Sequence, residues 1–206
     1  MIENKDNGLR LTEYPEGYSV KRLNTADADR LNRLRTGLSR LELARATMEL
    51  LKNGDESRAM LEAVACAASI YYFSCFGGGS YGPRLRAEKV FKNNKEAKQN
   101  HDHWKTIRDQ RFGHLVGVGQ SIVTLLIADD SDRPIDTKTI SMDIDPSAVL
   151  PWMKSLYQLI GVALIHIQQE VVEVESRIRE AFEKLSPEEF LALPDATIPI
   201  PHHERR

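Results

Sequence analysis

The feature that most constrains the fold is a long amphipathic segment in the C-terminal half of the chain. Its apolar residues recur every three or four positions: Trp152, Leu156, Leu159, Ala163, Ile167, Val171, Val174, Ile178 and Phe182. This spacing places them on one face of an α-helix. We predict a helix that begins after Pro146 or Pro151 and continues to about Leu185. At about 1.5 Å per residue it would be roughly 50 Å long, which is more than a compact core needs and indicates a dimer.

Other helical segments follow from the same kind of pattern. The first covers residues 24–53, with capping side chains at its start and a leucine-rich stripe. The second, residues 57–76, is apolar nearly all round, which is typical of a central helix or a subunit interface. The third covers residues 85–112 and has a polar middle, and a short last helix begins at Ser186.

A different pattern follows the third helix. Residues 120–127 and 138–142 are β-branched runs on either side of a segment rich in turn-forming residues, 129–134. They predict a small β-hairpin inserted between helices three and four, although a helix is an alternative for the first run.

These segments together predict a mainly all-α protein, an up-down bundle of four to five helices with the β-hairpin near residues 119–143. The chain has 206 residues, of which 41% are hydrophobic, so it is long enough for one good core. We expect an N-terminal arm over residues 1–23, a single helical domain over residues 24–193 and a flexible tail over residues 194–206.

Composition also restricts the cellular setting. The N-terminus is polar and no stretch reaches about 18 consecutive apolar residues, so we expect neither a secretory signal nor a membrane span. Cys66 and Cys75 lie nine residues apart in one predicted helix, on nearly opposite faces, so they cannot pair within a straight helix. A reducing, cytoplasmic setting fits these cysteines best.

The candidate catalytic residues lie at the end of the third predicted helix, in the run Arg108-Asp109-Gln110-Arg111-Phe112-Gly113-His114. A guanidinium stays charged and presents a fork of donors to phosphate oxygens, and an imidazole can move a proton near neutral pH. On a helix, Arg108, Arg111 and His114 would be displaced by about 60° from one another, so their long side chains could converge. These residue types suit cleavage of RNA without a metal.

An Arg that is followed by a polar residue and, a few positions later, by a His resembles the signature of the HEPN superfamily. Five residues separate Arg108 from His114, and Asp109 holds the polar position. The resemblance, over roughly residues 24–185, implies an all-α homodimer in which two motifs form one composite site that binds or cuts RNA. It implies that Arg108 and His114 are catalytic and that Arg111 and Asp109 assist. Many members of the superfamily act as toxins or in phage defence, which makes an antitoxin protein a candidate partner.

Charge is distributed unevenly along the chain. The net charge is −2, but residues 84–111 contain nine basic and four acidic side chains, so this basic segment carries +5 and the remainder −7. A positive field on the helix that bears the motif would attract a phosphodiester backbone. The candidate RNA-binding residues are Arg84, Arg86, Lys89, Lys92, Lys95 and Lys105. The alternative is an ordinary solvated helix face.

His101 and His103 raise the question of a metal site. Positions two apart on a helix point about 200° from each other. No cysteine lies nearby to complete a zinc set. We therefore predict neither a metal nor a cofactor. His166 lies among apolar residues and is expected to be a core or interface histidine.

Two other functions fit the same sequence. One is a non-catalytic helical module that binds RNA, nucleotide or a protein partner; there Arg108 pairs with Asp102 or a Glu, and His114 caps a helix. The other is a helical bundle with a small-molecule pocket, lined by the aromatic residues Tyr71, Tyr72, Phe73, Phe76 and Tyr81.

Overall fold

The computed structural model describes residues 2–5, 8–11, 20–53, 57–77, 82–109, 120–128, 134–143 and 150–196. These parts of the chain are predominantly helical, as predicted. The helices are α1 (Ala26–Glu49), continued by a 3₁₀ turn (Leu50–Asn53), α2 (Arg58–Phe73), α3 (Ala87–Val90), α4 (Lys95–Ile107), α5 (Leu150–Phe182) and α6 (Pro187–Leu191). The strands form two antiparallel pairs, β1 (Ile2–Lys5) with β2 (Gly8–Leu11) and β3 (Gln120–Ala128) with β4 (Pro134–Asp143). None of the helices in these ranges has both the length and the apolar character that a membrane crossing requires.

Two compact units make up the chain, one of Met1–Asn32 with Val172–Arg206 and the other of Arg33–Val171. In the first unit, backbone hydrogen bonds join residues 20–22 to residues 194–196. The Arg22 N–H donates to the Pro194 carbonyl at 2.8 Å, and the Lys21 ammonium lies 2.7 Å from the Asp195 carboxylate. The first residues of the predicted tail are therefore paired with the predicted N-terminal arm, and residues 197–206 lie outside the described part of the chain.

The last helix of this unit begins where the sequence predicted. The Ser186 hydroxyl accepts the Glu189 N–H at 3.2 Å, and the Glu189 carboxylate accepts the Ser186 N–H at 2.8 Å. This reciprocal capping box, with Pro187 in the first turn, satisfies donors that the helix start would otherwise leave open. The strands β1 and β2 were not predicted, because we interpreted residues 1–23 as an arm, although Leu9, Arg10 and Leu11 alternate and Asn7-Gly8 is a turn signal.

The core of the second unit is built from apolar faces of α1, α2, α4 and α5. Its largest fully buried side chains include Trp104, Tyr72, Leu34, Leu41, Leu156, Leu159, Ile160 and Ile167. The indole N–H of Trp104, on α4, donates to the Ser155 hydroxyl at 2.9 Å and to the Trp152 carbonyl at 3.2 Å, both on α5. A buried indole needs such partners, so these bonds fix α4 against the start of α5.

Gly37 allows a close approach within this core. A Cβ atom at this position would lie 2.5 Å from Pro83 Cγ and 2.7 Å from Ile167 Cδ1. The thiol of buried Cys75 lies 3.6 Å from the Gly37 carbonyl oxygen. Because glycine has no side chain, α5 and the segment that follows α2 can both pack directly on α1.

The prediction of one helix over residues 85–112 is wrong. This region contains the short helix α3, a turn, and α4, which ends at Ile107. The side chain of Asn94 accepts the Ala97 N–H at 2.9 Å and caps the start of α4. Because an asparagine side chain bonds backbone N–H groups well at a helix start, it favours a new helix over the continuation of the old one.

The strands β3 and β4 occupy the region of the β-branched runs. In their antiparallel register Val123 lies opposite Ile140, and the pairing is irregular between Ile127 and Ala128. The predicted turn residues 129–133 lie outside the described residues.

Candidate functional site

Arg108 lies where α4 ends. The helix closes at Ile107, and the backbone of Arg108 keeps helical angles while its N–H donates to the Trp104 and Lys105 carbonyls. The helical pattern that the sequence predicted therefore holds up to the first residue of the motif. Arg111 and His114 lie in residues 110–119, outside the described part of the chain, so their predicted convergence with Arg108 stays a prediction.

Asp109 holds the guanidinium of Arg108. The Arg108 Nε–H donates to Asp109 Oδ1 at 2.7 Å, and Nη2 donates to the same oxygen. The two side chains are 31% and 47% exposed, so the pair is open to solvent. Among the described residues, the carboxylate that Arg108 contacts is that of Asp109 and not that of Asp102 or a Glu. Asp109 therefore contacts the guanidinium that the resemblance implies it assists.

The ring of Phe73 also contacts the Arg108 guanidinium. Arg108 Cζ lies 4.9 Å from the centroid of the Phe73 ring, on α2. A cation at this distance is attracted to the ring face. Phe73 was considered only as a member of an aromatic pocket, and its contact with Arg108 joins positions 35 residues apart that no sequence spacing connects. We refer to Arg108, Asp109 and Phe73 as the Arg108 site.

Phe73 belongs to a wider aromatic cluster, which surrounds His101 of α4. The ring centroids of Tyr72, Phe73, Phe76 and Phe91 lie between 4.6 and 5.7 Å from that of His101. His101 is only 4% exposed, and its Nδ1 lies 2.8 Å from the Tyr72 hydroxyl. Burial lowers the pKa of His101 to about 4, and burial also raises the pKa of Tyr72 well above its ordinary value. At neutral pH both groups are therefore uncharged.

The described residues of the predicted small-molecule pocket lie in different surroundings. Tyr72 and Phe73 are buried against one another and against His101, and Tyr71 is exposed. Tyr81 lies outside the described residues. Tyr72 and Phe73 therefore pack in the core, and Phe73 also contacts Arg108.

The two candidate metal ligands lie in different surroundings. His101 is buried in the aromatic cluster, whereas His103 is exposed and meets the edge of Trp152 at 5.0 Å between centroids. Within the described ranges no group of three His, Cys, Asp or Glu side chains could hold a metal ion. His166 is half-buried and lies 3.1 Å from Glu170 Oε1 on α5.

The two cysteines are free thiols. Burial raises the pKa of Cys75 to about 11 and also raises that of Cys66. Neither is therefore an activated nucleophile at neutral pH.

All six candidate RNA-binding side chains are exposed to solvent: Arg84, Arg86, Lys89, Lys92, Lys95 and Lys105. None of them forms an ion pair with another described residue. Lys98, by contrast, is half-buried and lies 4.0 Å from Glu88. Arg84 has a φ angle of 54°, a left-handed conformation that is unusual for a residue with a side chain. The basic segment thus offers free cations along α3, α4 and the loop before them.

Comparison with protein-family models, curated proteins and solved structures gave no match.

Proposed function

We propose that this protein is a metal-independent endoribonuclease of the HEPN type, in keeping with the resemblance of its Arg108–His114 motif. The observation that supports it best is the Arg108 site. A guanidinium is held in one orientation by Asp109 and Phe73, is partly exposed, and lies at the end of a segment that carries free cations. An oriented, permanently charged donor is what a developing phosphorane requires.

In the proposed reaction the RNA 2'-hydroxyl attacks the adjacent phosphorus while the bond to the 5'-oxygen breaks. His114 takes the proton from the attacking hydroxyl or gives one to the leaving oxygen. Arg108, oriented by Asp109, stabilises the negative charge on the non-bridging oxygens, and Arg111 assists. The products are a 2',3'-cyclic phosphate and a free 5'-hydroxyl, and no metal or cofactor takes part.

The proposal includes a homodimer, since one histidine per chain cannot supply both an acid and a base. It also includes the predicted architecture, a bundle of four to five helices, with the β3–β4 pair as a hairpin inserted before α5. A toxin or phage-defence effector with an antitoxin partner is the biological setting that the resemblance implies.

The test is digestion of a mixed RNA pool by the purified full-length protein in excess EDTA. A general acid or base contributes on the order of a hundred- to ten-thousandfold, so His114→Ala should nearly abolish cleavage and leave RNA affinity within a few fold. Arg108→Ala should reduce both. His103→Ala and Arg179→Ala are matched controls, because both side chains are exposed and lie outside the motif; they should leave cleavage unchanged.

Three results would contradict the nuclease. The wild-type protein leaves the RNA intact, the His114→Ala variant cuts as fast as the wild type, or cleavage ends carry no cyclic phosphate. A monomer by light scattering at tens of micromolar would contradict the composite site but not an RNA-binding role.

The second candidate is a non-catalytic helical module that binds RNA, nucleotide or a protein. It is favoured by the contacts that already occupy one edge and one face of the Arg108 guanidinium. In this case Arg108→Ala should lower the thermal stability of the fold, and His114→Ala should change nothing that is measured with RNA.

A further inference from the structure

A groove runs between α4 and α5, at the end of α4 opposite to Arg108. Its cavity volume is about 270 Å³, below the roughly 300 Å³ at which pockets for drug-sized ligands begin. Ala97, Leu159 and Val162 form its apolar wall, and Glu96, Asn100 and Gln158 supply polar side chains. The groove therefore has the size for one small planar group, and its mostly polar lining offers hydrogen-bonding groups for the edge of such a group.

Some polar side chains of the groove already form hydrogen bonds, and others do not. The Asn94 side chain caps α4, and the Ser155 hydroxyl accepts from Trp104 and donates to the Trp152 carbonyl. The side chains of Glu96, Asn100 and Gln158 form no hydrogen bond or ion pair with another described residue, and all three are exposed or half-buried. The groups that remain for a ligand are one carboxylate, which only accepts, and two carboxamides, which donate and accept.

We propose that this groove binds one unpaired guanine base of an RNA. This inference rests on the proposed RNA-directed function. The edge of guanine presents two adjacent donors, N1–H and the 2-amino group, beside the acceptor O6. Glu96 suits the two donors, and the amide of Asn100 or Gln158 suits O6. No other common base offers two adjacent donors to a carboxylate. Protein sites that read single-stranded RNA hydrogen-bond such splayed-out bases on their edges.

The charges around the groove agree with this occupant. Lys92 and Lys95 lie four residues and one residue before Glu96 in sequence and are exposed, so the start of α4 offers cations to the phosphates next to the base. Asn100 and Arg108 are eight residues apart on one helical stretch, which is about 12 Å along the axis. A strand that places a guanine in the groove could therefore reach the Arg108 site with a phosphate a short way along its backbone.

The binding test uses short 2'-O-methyl oligouridines, which lack the attacking hydroxyl and cannot be cut by the proposed reaction. One carries a central guanosine, one carries inosine at that place, and one carries neither. Fluorescence anisotropy with the full-length protein should show that the guanosine tightens binding about tenfold, within the range for a bidentate pairing of side chain and base. Inosine, which lacks the 2-amino donor, should lose most of that gain.

Glu96→Gln tests the assigned carboxylate, and Glu88→Gln is its matched control. Both variants remove one acidic charge from an exposed position, but Glu88 lies on α3 beside Lys98 and outside the groove. Glu96→Gln should remove the preference for guanosine over uridine, whereas Glu88→Gln should retain it. Val162→Trp, which fills the groove from its half-exposed wall, should also remove the preference, and circular dichroism checks that each variant is folded.

The outcomes separate this inference from the nuclease itself. Equal binding of the three oligonucleotides by the wild-type protein, or an unchanged guanosine preference in Glu96→Gln, overturns the groove assignment even where RNA is cut in a manner that depends on His114. A guanosine preference that is lost in Glu96→Gln and kept in Glu88→Gln supports the groove even where no RNA is cut.

Discussion

Acidification should destabilise this protein through His101, the histidine at the centre of the aromatic cluster. The imidazole is buried among four aromatic rings and bonded to the Tyr72 hydroxyl. Its pKa is lowered to about 4, first by burial and then by the positive charges of Lys105 and Arg108, against the opposing effect of Asp102. Protonation of His101 in the folded protein therefore places a charge where water does not reach it.

The direction and size of this destabilisation follow from the difference between the pKa values of His101 in the folded and the unfolded chain. In the unfolded chain the imidazole has its ordinary pKa of 6.5, and in the folded chain the pKa is about 4. Between these values the unfolded chain binds more protons, so the free energy of unfolding falls as the pH falls. Above pH 6.5 the group contributes no pH dependence, and below about pH 4 the loss is complete. At about 1.4 kcal/mol per pH unit the total loss is at most about 3.5 kcal/mol.

The measurement is urea unfolding at several pH values for the wild type and for His101→Asn. The Asn side chain does not titrate, and its carbonyl oxygen takes the place of Nδ1 as an acceptor for the Tyr72 hydroxyl. The variant will be less stable at pH 7 because it leaves a small cavity. The quantity to compare is the change of unfolding free energy between pH 7 and pH 4, which should be about 2 to 3 kcal/mol larger in the wild type.

Other groups also titrate as the pH falls. Their effect on stability cancels in the comparison with His101→Asn, because both proteins contain them. The hydrogen bond from Arg177 lowers the pKa of Asp27, so this carboxylate loses its contribution to stability as the pH falls through that lowered value. It does so equally in both proteins. Parallel stability curves for the wild type and His101→Asn across pH 4 to 6.5 would show that His101 is not a buried neutral base. An NMR titration of its ring protons that gives a pKa near 6.5 would show the same.

Two further predictions concern packing and charge. Gly37→Ala should destabilise the fold by about 1 to 3 kcal/mol, because its Cβ would meet Pro83 and Ile167; Gly161→Ala, which meets nothing within 4 Å on α5, should stabilise it by up to about 1 kcal/mol. Urea unfolding measures both, and a shift of the same sign in the two variants would contradict the packing argument. Replacement of Lys92 and Lys95 together by Ala should reduce the slope of log affinity against log salt for single-stranded RNA by about 1.4. The exposed lysines Lys154 and Lys184 provide the control pair, and equal slopes for wild type and the Lys92, Lys95 variant would remove the basic segment from RNA binding.

The helices that the sequence predicted well are those in which two signals agree. In α5 the apolar spacing coincides with a proline in the first turn, and in α6 a serine and a glutamate form a capping box. The region of α3 and α4 failed because Asn93 and Asn94 were taken as a polar stretch within a helix. Asn94 was in fact a helix-start signal.

The candidate site contains one residue whose burial the sequence could have predicted and one contact that it could not. Ala97, His101 and Trp104 follow one another by four and three positions, and all three are buried. Helical spacing could therefore have predicted His101 as a core residue. The contact between Arg108 and Phe73 had no such signal. A cation over a ring depends on how α2 and α4 pack, which local spacing does not encode.

The Arg108 site also shows which residue decides between the two proposed functions. Asp109 takes the Nε and Nη2 edge of the guanidinium and Phe73 covers one face, so Nη1 keeps its donors for a phosphate oxygen. A binding module and a nuclease would both use an arginine held in this way. Only the nuclease needs a group that moves a proton near neutral pH.

His101, the buried histidine of α4, does not meet that need. His101 is engaged with Tyr72 and has a pKa of about 4, and His103 is exposed against the edge of Trp152. In the proposed nuclease, the candidate for proton transfer beside Arg108 is His114. If His114→Ala binds RNA as the wild type does but no longer cuts it, the arginine is part of a nuclease. If the wild type itself never cuts, the same arginine, with the same carboxylate and ring around it, belongs to a site that only binds.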